Sequence, residues 1–135
     1  MGEKGVSDDE PEGVWTVSQP AWIDELFASI DGMDTDRFAS FLTDDAIFRY
    51  GSSPAMEGKD AVREGVAGFF TTVKGLSHTL EGVWAHPDAV FAKGIVHYTR
   101  HDDSKVSIPF CNCFKMDGEK VREYLVYIDP SPMAG

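Results

Sequence analysis

Cysteine is scarce in this chain, which has two, Cys111 and Cys113, among its 135 residues. Because they are two positions apart, a strand would place them on one face, where neighbouring side chains rarely form a disulfide. The disulfide framework of a small secreted domain is therefore excluded, and a reducing, cytoplasmic compartment fits the composition. Two thiolates are also too few for a zinc site, so no metal ion is expected.

Long apolar runs and basic charge are also in short supply. No apolar run approaches the roughly 18 residues of a transmembrane helix, and the start of the chain lacks the apolar core of a signal peptide. The chain carries 12 basic and 23 acidic residues, a formal net charge of −11. Such a surface repels phosphate backbones and anionic lipids, so neither nucleic acid nor a membrane is expected as a partner.

The chain does contain enough apolar material for one folded domain. Apolar residues make up 42% of the sequence and aromatic residues 12%, which excludes disorder for the chain as a whole. The polar, acidic start predicts a flexible N-terminal tail over residues 1–17. The domain itself is expected over residues 18–133.

Helical patterns dominate the first half of this domain. Apolar residues recur at helical spacing from Ser18, a candidate N-cap, to Asp31-Gly32, which ends the first helix. Asp34 is placed to cap a second helix, and a third is predicted from about Lys59 to Lys74. A short strand over residues 46–50 is expected between the second and third helices.

Strand patterns fill the second half. Four strands are predicted at about residues 77–86, 89–100, 105–116 and 120–129, and the last two are joined by Asp117-Gly118, a strong hairpin signal. Helices segregated from a run of consecutive strands indicate an α+β fold with a curved antiparallel sheet. A concave sheet face closed by helices leaves a pocket for a small molecule.

Three segments carry a resemblance to a known family: FLTDDAIFRYG at residues 41–51, EGKDAVREGVAGFF at 57–70 and KMDGEKVREYLVYIDPSPM at 115–133. They resemble the SnoaL-like branch of the nuclear transport factor 2-like superfamily, which is similar to ketosteroid isomerase and polyketide cyclases. The resemblance implies a cone-shaped, curved antiparallel sheet covered by three N-terminal helices. Members include isomerases, cyclases, dehydratases, epoxide hydrolases and non-catalytic domains, so the fold alone fixes no reaction.

Two relatives imply catalytic positions that this chain fills with other residues. The position resembling the base of ketosteroid isomerase is Tyr50, a poor base at neutral pH because the pKa of tyrosine is about 10. The positions resembling the Arg-x-Asp pair and the aspartate of limonene epoxide hydrolase are Val96, Tyr98 and Val126. None of these three can activate a water, so neither mechanism is expected here.

Alternation along the strands selects the side chains that would line the pocket. The predicted ligand-binding residues are Phe48, Tyr50, Tyr98, Arg100, Asn112, Tyr124 and Val126. On the last strand a slip of one residue would turn Glu123 and Asp129 inward instead, and both registers stay open at this point. The tyrosines could form a hydrogen-bonding wall around a ligand, or they could simply pack with their hydroxyls at the rim.

His78 is the predicted catalytic acid/base. It begins a strand with Leu80 and Trp84 on its face, and histidine suits proton transfer near neutral pH. The alternative is a hydrogen-bonded structural histidine. His97 and His101 are four positions apart on a strand and its turn, a weak arrangement for binding a metal.

Two polar residues have two interpretations each. Arg100 could pair with a ligand carboxylate or enolate, or form a surface ion pair near Asp102-Asp103. Asn112 lies in an otherwise apolar strand and needs partners, which a ligand carbonyl or another group of the sheet could supply.

The sequence leaves three functions open. The first is an isomerase, cyclase or dehydratase that acts on a small hydrophobic carbonyl or polycyclic substrate without metal or organic cofactor. The second is a non-catalytic binder of small ligands, and the third is a protein-interaction module of the same fold. In each case we expect a homodimer through the sheet face opposite the helices, where Ile95, Leu125 and Tyr127 are apolar.

Overall fold

The computed structural model describes residues 16–17 and 19–134. Its elements in chain order are β1 (Thr16–Val17), α1 (Ala21–Asp31), α2 (Thr35–Ala39), β2 (Leu42–Tyr50), β3 (Met56–Glu57), α3 (Lys59–Phe70), β4 (Gly75–His86), β5 (Ala89–Thr99), β6 (Lys105–Asp117), β7 (Lys120–Ile128) and α4 (Ser131–Ala134). Most of the predicted tail and the predicted cap Ser18 lie outside the described residues. The division at residue 17 therefore stays a prediction.

The strands form one sheet in the order β1-β4-β5-β6-β7-β2-β3. Strands β4 to β7 are an antiparallel meander, as predicted. One pair departs from the antiparallel pattern, because β2 is parallel to β7. A parallel pair cannot be joined by a hairpin, and here α3 and the whole meander connect the two strands. The α+β class and the curved sheet with helices on its concave face are confirmed.

The helices form largely where the apolar spacing predicts them. In α1 the buried stripe is Ile23, Leu26, Phe27 and Ile30. The N-cap of α1 is Pro20, two residues after the cap suggested by the sequence. Asp34 caps α2 as predicted, since its carboxylate accepts a hydrogen bond from the backbone N–H of Arg37 at 3.1 Å. Helix α3 ends at Phe70 and not at the predicted Lys74. The backbone N–H of Lys74 already donates to the Thr99 carbonyl, next to the pairing of β4 with β5.

A β-bulge in β4 changes which side chains face the helices. The register with β5 shifts between Leu80 and Gly82, so Glu81 is an extra residue. Beyond it Val83 is buried, whereas Trp84 is 37% exposed on the convex face. The expectation that Trp84 shares a face with His78 was therefore wrong, because a bulge reverses the alternation.

The last strand adopts the first of the two registers considered. Tyr124 pairs with Phe114 and is buried, and Val126 and Ile128 follow it on the concave face. Glu123 and Tyr127 alternate with them, and Tyr127 is 60% exposed. Strand β2 begins at Leu42 and not at residue 46, with an irregular register before Ile47.

The core lies between the concave sheet face and the three N-terminal helices. Its largest fully buried side chains include Tyr124, Phe38, Phe114, Ile23 and Leu26. No helix in the described part of the chain is long and apolar enough to cross a membrane.

Candidate functional site

A cavity of about 290 Å³ lies between the concave sheet face and the helices. Most of the predicted site residues line this cavity. They are Phe48, Tyr50, His78, Tyr98, Asn112, Tyr124 and Val126. Ser53 and Pro54, both exposed, lie at its rim, while His78 and Tyr124 lie deeper. The pocket expected from strand alternation is present, and its volume is close to the lower end of the range for small-molecule sites.

Arg100 is the predicted ligand-binding residue that does not line this cavity. Strand β5 ends at Thr99, so alternation no longer determines the direction of the next side chain. The guanidinium donates to the Pro132 carbonyl at 2.9 Å, to the Met133 carbonyl at 3.3 Å through Nε, and to Ser104 Oγ at 3.1 Å. Arg100 therefore holds the C-terminal segment against the domain.

His78 forms a pair with Asp31, the last residue of α1. Asp31 Oδ1 lies 2.6 Å from His78 Nδ1, and Oδ2 accepts the backbone N–H of His78 at 3.2 Å. Both carboxylate oxygens are thus used to fix one residue. A carboxylate only accepts hydrogen bonds, so Nδ1 carries the proton and the lone pair of the neutral ring is on Nε2.

Aromatic rings enclose the imidazole of His78. Its centroid is 4.8 Å from that of Phe27 and 5.3 Å from that of Phe110, which stands edge-on. The histidine side chain is 10% exposed. Nε2 makes no hydrogen bond to any of the described residues, and the His78 side chain lines the cavity.

Sequence reasoning missed Asp31, which it interpreted only as the end of a helix. A carboxylate at a helix C-terminus faces the negative end of the helix dipole, which is unfavourable without another partner. The position of an acidic residue at this helix end was therefore the one sign in the sequence that Asp31 has a partner elsewhere. The partner, His78, is 47 positions away, and only the folded chain brings the two together.

Tyr50 and Tyr98 form a second polar group in the cavity wall. Their hydroxyl oxygens are 3.1 Å apart, and the ring of Phe69 packs on both, with centroids 5.7 and 5.9 Å away. Burial is the main cause that raises the pKa of each hydroxyl above the ordinary value of tyrosine. Both hydroxyls are therefore neutral at physiological pH and serve as hydrogen-bonding groups, not as bases.

Tyr124 lies at the bottom of the cavity. It is 2% exposed and packs against the rings of Phe38, Phe48 and Phe114. Burial, followed by the negative charge of Asp31, raises the pKa of its hydroxyl. Tyr124 therefore also stays neutral.

Asn112 is the buried polar side chain in the middle of β6. It is 3% exposed, and its Oδ1 atom is enclosed without a hydrogen-bond partner among the described residues. An unpaired buried amide oxygen costs roughly 1–3 kcal/mol. The alternative that Asn112 bonds to another group of the sheet is therefore not what the geometry shows.

Charged side chains do not line the cavity within the described residues. Asp31 lies behind His78, and the remaining walls are aromatic and aliphatic. Residues 19–134 also contain no group of three or more His, Cys, Asp or Glu side chains arranged to hold a metal ion. The arrangement can bind an uncharged, largely apolar molecule and move a proton through one imidazole.

Several solved structures share this fold. A protein of ketosteroid isomerase-like fold from Catenulispora acidiphila, in complex with trimethylamine, superposes with a TM-score of 0.75 at 12% identity, covering 82% of this chain and 86% of that one. An epoxide hydrolase from M. tuberculosis, described as LEH-like, gives 0.71 at 16% identity, covering 83% of both chains. A candidate SnoaL-like polyketide cyclase from Jannaschia sp. CCS1 gives 0.73 at 19% identity, covering 83% and 85%. At these identities the likeness shows the fold alone.

The sequence itself matches a family. No protein of curated function matches the chain. The profile described as SnoaL-like domain matches residues 23–124, which include both members of the Asp31–His78 pair. That span is most of the chain and includes most of the residues that line the cavity, and the protein therefore belongs to the SnoaL-like domain family.

Proposed function

We propose that the protein is an enzyme that isomerises, cyclises or dehydrates a small hydrophobic carbonyl or polycyclic substrate by acid/base chemistry at His78. The observation that carries the proposal is the 2.6 Å contact between His78 Nδ1 and Asp31 Oδ1 at the wall of an apolar cavity. A histidine oriented by a carboxylate, with its other nitrogen free, is the usual arrangement of a general base.

The chemistry follows from the position of the proton. Nε2 of His78 takes a proton from the carbon next to the substrate carbonyl, and the electron pair of that C–H bond moves to the carbonyl oxygen as an enolate. Asp31 stabilises the imidazolium that forms. His78 then returns the proton to another carbon or to a leaving oxygen, so protons balance over the cycle. The neutral hydroxyls of the cavity stabilise the enolate.

A proton-exchange assay tests this proposal without knowledge of the natural substrate. The methyl ketone para-hydroxyacetophenone is incubated with the protein in D₂O, and NMR follows the loss of its methyl protons. His78→Asn keeps the approximate shape and removes the base, so we expect the rate to fall about a hundredfold or more. His97→Asn, on the convex face, is the matched control and leaves the rate unchanged.

The second candidate is non-catalytic binding of a small hydrophobic molecule, which the apolar character of the cavity walls favours. Wild-type protein that binds the ketone but exchanges its protons no faster than buffer would support this reading and overturn the catalytic one. The third possibility, a protein-interaction module, is less well supported because the cavity is open and not filled by side chains.

We also propose that the protein is a homodimer that buries the convex sheet face. Ile95, Leu125 and Tyr127 lie on this face, and the exposed ring of Tyr127 stands near its centre. A standard interface buries about 800 Å² per partner and persists at tens of micromolar protein. Sedimentation that shows a dimer for the wild type and a monomer for Tyr127→Asp agrees with the proposal, and a wild-type monomer contradicts it. The free thiols Cys111 and Cys113 fit the proposed cytoplasmic location.

A further inference from the structure

We infer that the cavity selects an uncharged ligand with two oxygen groups at opposite ends, a hydroxyl that pairs with the amide of Asn112 and a carbonyl that accepts from the Tyr50–Tyr98 pair. This inference deepens the proposed function and rests on it for the identity of the pocket. The class of substrate follows from the hydrogen-bonding groups that each end of the cavity leaves without a partner.

The end at Asn112 holds an unpaired amide. Its Oδ1 is enclosed and has no partner among the described residues. The side chain lines the cavity from a strand whose inward neighbours Phe110 and Phe114 are aromatic and form no conventional hydrogen bond to it. A ligand hydroxyl both donates and accepts, so it can pair with the amide in either orientation of that group.

The end at the tyrosine pair offers a donor. Two neutral hydroxyls carry two protons, and one of these is used in the 3.1 Å bond between Tyr50 and Tyr98. The other proton makes no hydrogen bond to the described residues, and both side chains line the cavity. A ligand carbonyl can accept this remaining proton, as buried tyrosine hydroxyls usually find a partner.

The sheet register places the two polar groups on different strands. Asn112 pairs with Val126, and Val126 pairs with Tyr50, so the three lie in one row across β6, β7 and β2. Two strand spacings separate the Cα atoms of Asn112 and Tyr50 by about 10 Å, and both side chains line the cavity. One aromatic ring with oxygen groups in para positions is the probe of the distance between the amide and the hydroxyl pair.

The lining also excludes charged groups. Among the described residues that line the cavity there is no lysine or arginine, and Asp31 adds negative charge next to His78. A carboxylate or phosphate on the ligand would be buried without a counter-ion, which costs far more than an unpaired hydroxyl. The ligand is therefore neutral at both ends.

Four compounds with one skeleton test this selection by isothermal titration calorimetry. They are para-hydroxyacetophenone with both groups, acetophenone with the carbonyl, para-ethylphenol with the hydroxyl, and para-acetylbenzoate with a charge. Each ligand oxygen that finds its hydrogen-bond partner in the cavity should raise the affinity about tenfold. We expect para-hydroxyacetophenone to bind about tenfold tighter than either single-group compound, and para-acetylbenzoate to bind weakest.

The variants assign each group to its end of the cavity. Asn112→Leu removes the advantage of the hydroxyl and keeps that of the carbonyl. Tyr98→Phe alone keeps the carbonyl advantage, because the proton of Tyr50 becomes free, while the double variant Tyr50→Phe/Tyr98→Phe loses it. Tyr127→Phe, which removes a tyrosine hydroxyl on the convex face, is the matched control and changes nothing.

Measuring binding separates this inference from the proposed function. The same order of affinities in His78→Asn, without proton exchange by the wild type, would leave the inference standing and overturn the catalytic proposal. Equal affinity for the first three compounds, or tightest binding of para-acetylbenzoate, would overturn the inference even if the exchange assay succeeds. A carbonyl preference that Asn112→Leu abolishes would place the carbonyl at Asn112, and would also overturn the inference.

Discussion

Two histidines lie at almost the same place on opposite faces of the sheet, His78 on the concave face and His97 on the convex face. His78 uses Nδ1 for the Asp31 carboxylate, its Nε2 makes no hydrogen bond to the described residues, and its side chain lines the cavity. His97 uses both nitrogens, with Nε2 2.9 Å from Thr79 Oγ1 and Nδ1 2.8 Å from Ser107 Oγ. The same residue type is therefore a candidate base on one face and a structural link between three strands on the other.

Aromatic packing also differs between the two faces. On the concave face, Phe38, Phe48, Phe114 and Tyr124 form edge-on and tilted ring contacts at centroid distances of 4.7 to 6.2 Å. On the convex face Trp84 and Tyr127 are exposed. The concave face combines a dense core with a cavity, and the convex face contributes little to the stability of one chain.

The largest expected effect is on stability and separates the faces. Phe114→Ala removes a fully buried ring and should lower the free energy of unfolding by about 3–5 kcal/mol. Tyr127→Ala on the convex face should change it by less than about 0.5 kcal/mol at protein concentrations where the chain is a monomer. Urea denaturation measures both, and equal losses would contradict the contrast between the faces.

The next largest effect concerns Asp31, whose carboxylate is bonded to His78 and has no counterpart at His97. Asp31→Asn keeps the shape of the side chain but can turn its amide NH₂ group towards Nδ1. The imidazole ring then loses its fixed tautomer, and the imidazolium loses its counter-charge. We expect the exchange rate of para-hydroxyacetophenone to fall about a hundredfold at saturating ketone, with little change in ketone affinity. Asp60→Asn, an exposed carboxylate on α3, is the control. A loss of affinity without a loss of rate would make Asp31 a structural residue only.

A third effect appears at high pH. The pKa values of Tyr50, Tyr98 and Tyr124 are raised in the folded state, chiefly by burial. Above about pH 10 the unfolded chain loses these protons while the folded chain keeps them, so the stability present below that pH declines as pH rises. Urea denaturation at increasing pH should show this decline, and it should be shallower in Tyr98→Phe. An identical decline in the variant would contradict the assignment to the buried hydroxyls.

The smallest effect distinguishes a functional polar group from a structural one. Asn112→Leu replaces an unpaired buried amide by an apolar side chain of similar size, and we expect the protein to become about 1 kcal/mol more stable. If Asn112 instead held the sheet together, the substitution would destabilise the fold by a similar amount. Thermal unfolding of the unliganded protein decides between these outcomes.

Much of this architecture could be predicted because it depends on local pattern. Alternation along β5 and β7 placed Tyr98, Tyr124 and Val126 on the concave face, and turn chemistry marked the ends of the meander. These signals lie within about ten residues of one another, so a single sequence contains them.

What failed depended on irregularity or on distance along the chain. The bulge at Glu81 reversed the face of Trp84, and the end of β5 at Thr99 turned Arg100 away from the cavity. The Asp31–His78 pair joins a helix end to a strand, and the parallel pairing of β2 with β7 joins distant segments. Such contacts are set by tertiary packing and leave little trace in local spacing.

The nitrogen-15 NMR spectrum of the imidazole rings at mildly alkaline pH shows which nitrogen of His78 carries the proton. We expect the proton of the neutral ring on Nδ1, and a shift of the unprotonated Nε2 resonance when para-hydroxyacetophenone saturates the cavity. The resonances of His97, whose nitrogens are both occupied on the convex face, should not move. A protonated Nε2 in His78, or a resonance that stays in place on ligand binding, would contradict the assignment of His78 as the base.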